Sequence, residues 1–153
     1  LFRSLSVKVS DSVKGGGTGQ EYPENLLKPG NSNGNKWYSC RGGEEWIQVN
    51  FDKPRKIAMY GMKSANDCPE RDPYTWKVFG KTEDGDWEKE PFHSVKALKF
   101  ENRFQFKYFT VNPSKKYTAV KIVMSQNRSY VENGNWGTGT QLAEVSFFET
   151  LSL

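Results

Sequence analysis

From Trp46 to Phe51 the chain alternates strictly, with Trp46, Gln48 and Asn50 on one side and Ile47, Val49 and Phe51 on the other. A period of two belongs to an extended strand with one face turned to a core. The pattern recurs at Phe2–Val9, where Leu5, Val7 and Val9 share a face, and strand-like runs follow at Ile57–Met62, Trp76–Gly80, Tyr117–Met124 and Leu142–Phe148. Phe92 to Phe109 carries two weaker alternations, the second with Phe104, Phe106 and Tyr108 on one face. Turn formers separate the runs, as in Pro29–Asn35 (PGNSNGN), Glu83–Asp86 (EDGD) and Asn112–Ser114 (NPS). No stretch keeps a helical period over several turns, and no repeat or composition break divides the chain. Residues 1–153 therefore read as one all-β domain of about eight strands, a sandwich or jelly roll.

Composition narrows the function classes. Aromatic residues make up 14% of the chain, and because each buries a large area a hydrophobic share of 35% still fills a sandwich. The net charge of +4 is spread over scattered lysines and arginines, clustered only at Lys53–Lys56 (KPRK) and Lys115-Lys116. That is a solvated basic surface rather than a nucleic-acid footprint. A single histidine, His93, leaves little room for a His-based triad or acid–base pair. Two cysteines do not make a zinc site by themselves. No apolar run approaches the ~18–20 residues that cross a bilayer. The glycine run Lys14–Gly19 (KGGGTG) lacks the Lys-Ser/Thr end of a phosphate loop and reads as a flexible surface loop.

Trp46–Phe51 and Ile57–Met62 are joined by the short bend DKPRK, which predicts an antiparallel hairpin. The segments before Trp46 and after Lys63 then lie at one end, so Cys40 and Cys68 approach each other, and a disulfide between them stays open. Lys63–Trp76 (KSANDCPERDPYTW) leaves that end as a charged stretch held by Pro69 and Pro73, a rigid polar loop. Ser125–Thr140 (SQNRSYVENGNWGTGT) is a second long polar loop, and its Asn127-Arg128-Ser129 forms an N-glycosylation sequon, relevant only to a secreted protein. Trp37, Trp46, Trp76 and Trp87 flank or start strands and are assigned to the core.

Three pieces in this order carry a resemblance: the NLL…GNSNGNKW turn, the WIQVNF–IAMYGM pair running into SANDCPERDPYTWKVFG, and the closing QLAEVSFFE strand. Together they resemble the F5/8 type C (discoidin-like, galactose-binding-like) domains, in the carbohydrate-binding-module branch found beside glycosidases and peptide N-glycanases. The resemblance spans roughly Glu24 to Glu149 and is most specific in SAND-x-PERDP followed by a strand Trp. It implies an eight-stranded antiparallel jelly-roll β-sandwich without catalytic residues, binding ligands through loops at one end. It also implies, for many members, a structural Ca2+ held by an acidic turn ahead of Trp37 and by Glu144 in the last strand. The acidic turn residue is missing here, where the chain reads Lys28-Pro29-Gly30-Asn31. Asn31, Asn35, Glu144 and backbone carbonyls would remain as oxygen ligands, a weaker set for a hard cation.

The resemblance makes glycans or glycoproteins the expected partners. In Ser64–Pro73, Asn66 and Asp67 would hydrogen-bond sugar hydroxyls, and Arg71 would donate a planar pair. The structural alternative has Arg71 and Asp72 pairing with neighbouring carboxylates or backbone to hold the loop shut. Tyr130 and Trp136, set among Asn127, Asn133 and Asn135, would supply a stacking face with Asn135 reading hydroxyls. A protein-interaction module using the same loops is the alternative, and phospholipid binding through Tyr130, Val131 and Trp136 comes third. A secreted or cell-surface setting suits the leading reading.

Overall fold

The computed structural model describes residues 2–4, 8–12, 20–30 and 36–151, with backbone alone at 2–4. The glycine run at 14–19, Leu5, Val7, Asn31 and Asn35 lie outside the described residues. In chain order the strands are β1 (Phe2–Ser4), β2 (Lys8–Asp11), β3 (Trp37–Tyr38), β4 (Glu45–Arg55), β5 (Met59–Lys63) and β6 (Pro73–Lys81). There follow β7 (His93–Val95), β8 (Phe106–Thr110), β9 (Tyr117–Asn127), helix α1 (Arg128–Asn133), β10 (Gln141–Leu142) and β11 (Glu144–Thr150). Short 3-10 helices occupy Pro23–Leu27 and Pro69–Arg71. Among the described residues this makes eleven strand segments where about eight were expected: β3 lies outside the predicted runs, β1 and β2 join different sheets, and the last run is divided into β10 and β11.

The strands form an antiparallel five-stranded sheet, β2-β4-β9-β6-β7, and a four-stranded sheet, β1-β11-β5-β8, with β3 and β10 pairing as a short ribbon at one end. Val9, Ile47, Val49, Val78, Val120 and Ile122 of the first sheet share one buried cluster with Tyr60, Met62, Val145 and Phe147 of the second. Aromatic edges knit the layers together. Phe51 meets Phe147 at 5.9 Å, Trp76 meets Phe109 at 5.7 Å, and Tyr60 stacks between Phe109 and Phe147. This is the all-β sandwich that the alternation predicted.

Two expectations fail for one reason. β4 and β5 do not pair as a hairpin: β4 lies between β2 and β9, and β5 lies between β11 and β8. Each strand turns an apolar face inward, Ile47, Val49 and Phe51 on one and Tyr60 and Met62 on the other. Burying both faces together requires the strands to oppose each other across the core, so residues 56–58 arch from one sheet to the other. The outward face of β4 then carries Trp46. That indole is half-buried rather than core, and with Trp87 it clamps the Lys121 ammonium, which lies 4.5 Å from each ring. Trp87 is likewise half-buried rather than core and makes an isolated bridge to Lys81. Trp37 and Trp76 are fully buried, as assigned. The Trp37 indole N–H donates to Asp11 at 2.6 Å, and that of Trp76 donates to the Tyr60 hydroxyl at 3.0 Å.

Candidate functional site

The arch still brings the residues before β4 and after β5 to one end, and three loops converge there: Ser39–Gly43, Ser64–Asp72 and the segment from α1 to Thr140. The two cysteines in these loops, Cys40 and Cys68, are free thiols. Both take left-handed backbone, with φ of 46° and 42°.

Ser64–Asp72 is held from beneath. Ser64 Oγ donates to the Asn102 carbonyl at 2.7 Å and accepts from the Gln105 amide at 2.9 Å. Arg103 closes on the fully buried Asp72, with Nη1 2.9 Å from Oδ1 and Nη2 on Oδ2, and Nη1 also reaches the Asp67 carbonyl at 3.1 Å. Burial pushes the Asp72 carboxyl up to about 6, and Arg103 pulls against that rise. The structural alternative thus holds for Asp72, through an arginine that no local pattern marked.

Asp67 has a double position. Its Oδ1 accepts from the buried Lys36 ammonium at 2.8 Å and from Gln141 Nε2 at 3.2 Å. Partial burial raises its carboxyl, but these two hydrogen bonds and the charges of Lys36 and Arg71 outweigh it and hold the group below the usual aspartate value. Its side chain remains 47% exposed, so it stays ionised at the surface of the loop end. Asn66 is half-buried, and its Oδ1 is buried without a hydrogen-bond partner among the described residues.

Arg71 leaves the 3-10 turn and lies over the Tyr38 ring, 4.4 Å from centroid to guanidinium carbon. Its Nε donates to Thr138 Oγ1 at 2.8 Å, while the Tyr38 hydroxyl donates to the Thr138 carbonyl at 2.6 Å. This stacking fixes the plane of the guanidinium and joins the Ser64–Asp72 loop to the loop before β10.

Ser125–Thr140 is not one long loop. β9 runs on to Asn127, and α1 follows, because Asn127 is an N-cap: its Oδ1 accepts from the Tyr130 amide at 2.9 Å. Its Nδ2 donates to the carbonyls of Trp136 and Gly139 at 3.0 and 2.8 Å, so one buried amide ties both ends of the segment together. The sequon asparagine is therefore completely enclosed and presents no amide to a glycan in the folded state. Gly139, at φ +122°, lets the chain return past Cys40, where a Cβ would lie 3.0 Å from backbone. Arg128 N–H donates to the Asp72 carbonyl at 2.9 Å, and α1 packs on the Pro69–Arg71 turn.

This scaffold presents Tyr130, 39% exposed, against the half-buried Trp136, with ring centroids 5.2 Å apart and planes inclined at 46°. Asn135 is exposed, but its Oδ1 accepts from the Gly137 amide at 2.9 Å, which spends one of its acceptor positions on its own turn. Of the expected residues, the structure joins Asp67, Arg71, Tyr130 and Trp136 to one loop end, turns Asn66 partly inward and leaves Asn135 at the tip. Lys36, Tyr38, Thr138 and Gln141 brace that end. Their roles come from contacts more than thirty residues apart, such as the 105-residue separation of Lys36 and Gln141, and nothing near them in sequence signals it. Glu144, on β11, is paired across the sheet with Lys63.

The sequence pattern of the F5/8 type C domain matches residues 6–144, nearly the whole chain. The chain belongs to the F5/8 type C domain family. No curated protein sequence matches it. Solved structures share its architecture at low identity. The family 32 carbohydrate-binding module of Streptococcus pneumoniae EndoD superposes with a TM-score of 0.71 at 14% identity, covering 97% of this chain and 100% of the other. The family 32 module of Clostridium perfringens NanJ, solved with galactose, gives 0.69 at 14% identity with the same coverages, 97% and 100%. A fucose binding module from Streptococcus pneumoniae gives 0.69 at 9% identity, covering 96% of each chain. These likenesses establish the galactose-binding-like fold. Among the described residues of this domain, no helix is long and apolar enough to cross a membrane.

Proposed function

We propose that this F5/8 type C domain is a glycan-binding module that holds a sugar at the end of the sandwich where α1 meets the Pro69–Arg71 turn. The observation that carries the reading is the pairing of Tyr130 with Trp136 beside an arginine whose plane is already set by Tyr38. An aromatic face suits the C–H face of a pyranose. Arg71 Nη1 and Nη2, which make no hydrogen bond among the described residues, and the exposed side of Asp67 supply donors and acceptors for its hydroxyls. The fixed guanidinium loses little freedom on binding, which favours even a small ligand. Solved relatives of this fold include modules described with galactose and with fucose, and a neutral pyranose of that kind is the ligand class proposed here. Secretion or display on a cell surface goes with this role.

The test is a glycan array probed with wild type, Trp136→Ala and Arg71→Ala, followed by titration of any hit. Each substitution is expected to weaken binding by about tenfold or more, roughly 1.4 kcal/mol, with the fold retained. Folded variants that bind as wild type would place the site elsewhere. A blank array from folded wild type would favour a protein partner at the same loops.

A further inference from the structure

Lys63 is a lysine almost entirely inside the protein, its side chain 6% exposed, on β5 opposite Glu144 of β11. Its ammonium donates to the Gly30 carbonyl at 2.9 Å and lies 3.7 Å from Glu144 Oε2. The rings of Phe106 and Phe104 flank it at 5.1 and 5.7 Å. The cation thus stands between a carbonyl of the turn ahead of Trp37 and the carboxylate of the last strand. Those are the two oxygen sources that the family resemblance assigned to a structural Ca2+.

We propose that the Lys63 ammonium is this domain's built-in cation, tethering the Gly30 turn to β11 in place of a divalent ion. Charge is the first reason. Among the described residues Glu144 is the carboxylate paired with this ammonium, and a dication brought to the same oxygens would face a like charge in a poorly solvated place. Ligand number is the second. Ca2+ needs six to eight oxygens at about 2.3–2.6 Å, whereas among the described residues the second Glu144 oxygen already accepts from Ser146 at 3.3 Å, and the Phe104 and Phe106 rings stand 5.7 and 5.1 Å from the ammonium. Aromatic faces attract an ammonium, but they offer no oxygen to a hard ion. The third reason lies in the turn, where Lys28-Pro29-Gly30 brings a basic residue instead of a carboxylate. The tether would then hold at any calcium concentration.

The experiment needs only the chain as it exists. Ca2+ is titrated calorimetrically into chelator-treated protein, and melting is followed in EGTA and in millimolar Ca2+. No saturable heat and an unchanged Tm are expected, since a ligand that binds only the folded state must raise Tm. Saturable binding with a Tm that rises in Ca2+ would overturn the proposal. Lys63→Met is expected to lower Tm equally in both buffers, and a variant melting with wild type would also overturn it. Should Lys63→Met not fold, the wild-type titration decides alone.

Discussion

The guanidinium of Arg103 holds both carboxylate oxygens of Asp72, 31 residues away in sequence, and closes the floor of the candidate binding end. Asp72 is 1% exposed and Arg103 23%, so the pair is largely shielded from solvent. Removing one member leaves the other charge desolvated and alone.

Arg103→Met is therefore expected to cost on the order of 3 kcal/mol at neutral pH, read from urea unfolding. The double variant Arg103→Met/Asp72→Asn should recover part of that loss, because no isolated buried charge remains. A single variant as stable as wild type would show that the pair contributes nothing net.

Asn127 links β9, α1 and the return past Gly139 through one side chain. Asn127→Ala removes the cap and strands two carbonyls, and about 3 kcal/mol of destabilisation is expected. Asn127→Asp keeps the cap oxygen but sets a carboxylate against the Trp136 and Gly139 carbonyls, so it should fare no better. Hydrogen exchange of residues 128–140 would show whether the loss is local.

His93 makes acid stability informative. The Tyr60 hydroxyl, which accepts from the Trp76 indole, lies 2.7 Å from His93 Nδ1, and it can donate to that nitrogen when the imidazole is neutral and Nδ1 carries no proton. Burial holds the His93 pKa below its usual 6.5. A depressed value means that the folded state resists protonation. The contribution is complete above pH 6.5 and is lost as pH falls through the folded value. The stability gap between wild type and His93→Gln should accordingly narrow from pH 7.5 to pH 5. A gap constant over that range would show that the fold does not favour the neutral imidazole.

Two strand glycines lie under tyrosine rings, with different expected costs. A Cβ at Gly80 would stand 2.3 Å from the buried Tyr117 ring, which is itself stacked on Phe92 at 5.4 Å. A Cβ at Gly61 would meet the Tyr108 ring at 2.7 Å, but that ring is 52% exposed and free to swing outward. Gly80→Ala should cost at least 2–3 kcal/mol and Gly61→Ala about 1 kcal/mol or less, measured by chemical unfolding.

Alternation determined the all-β class and the two faces of β4, because side-chain period follows directly from backbone geometry. Trp46 shows where such reading stops. Its position opposite Ile47 was visible in the run, but whether that second face met another layer or solvent depended on which strands lay beside β4. The hairpin failed likewise, since a short bend is compatible with pairing in one sheet or with arching between two. SAND-x-PERDP located the loop end, yet the division of labour within it came from Arg103, Tyr38, Lys36 and Gln141, which meet it only after folding. Local order is written in neighbouring residues. The sheet each strand joins, the partner of each buried charge and the cation beside Glu144 were decided by tertiary packing, because desolvation couples groups by distance in space and ignores their separation along the chain.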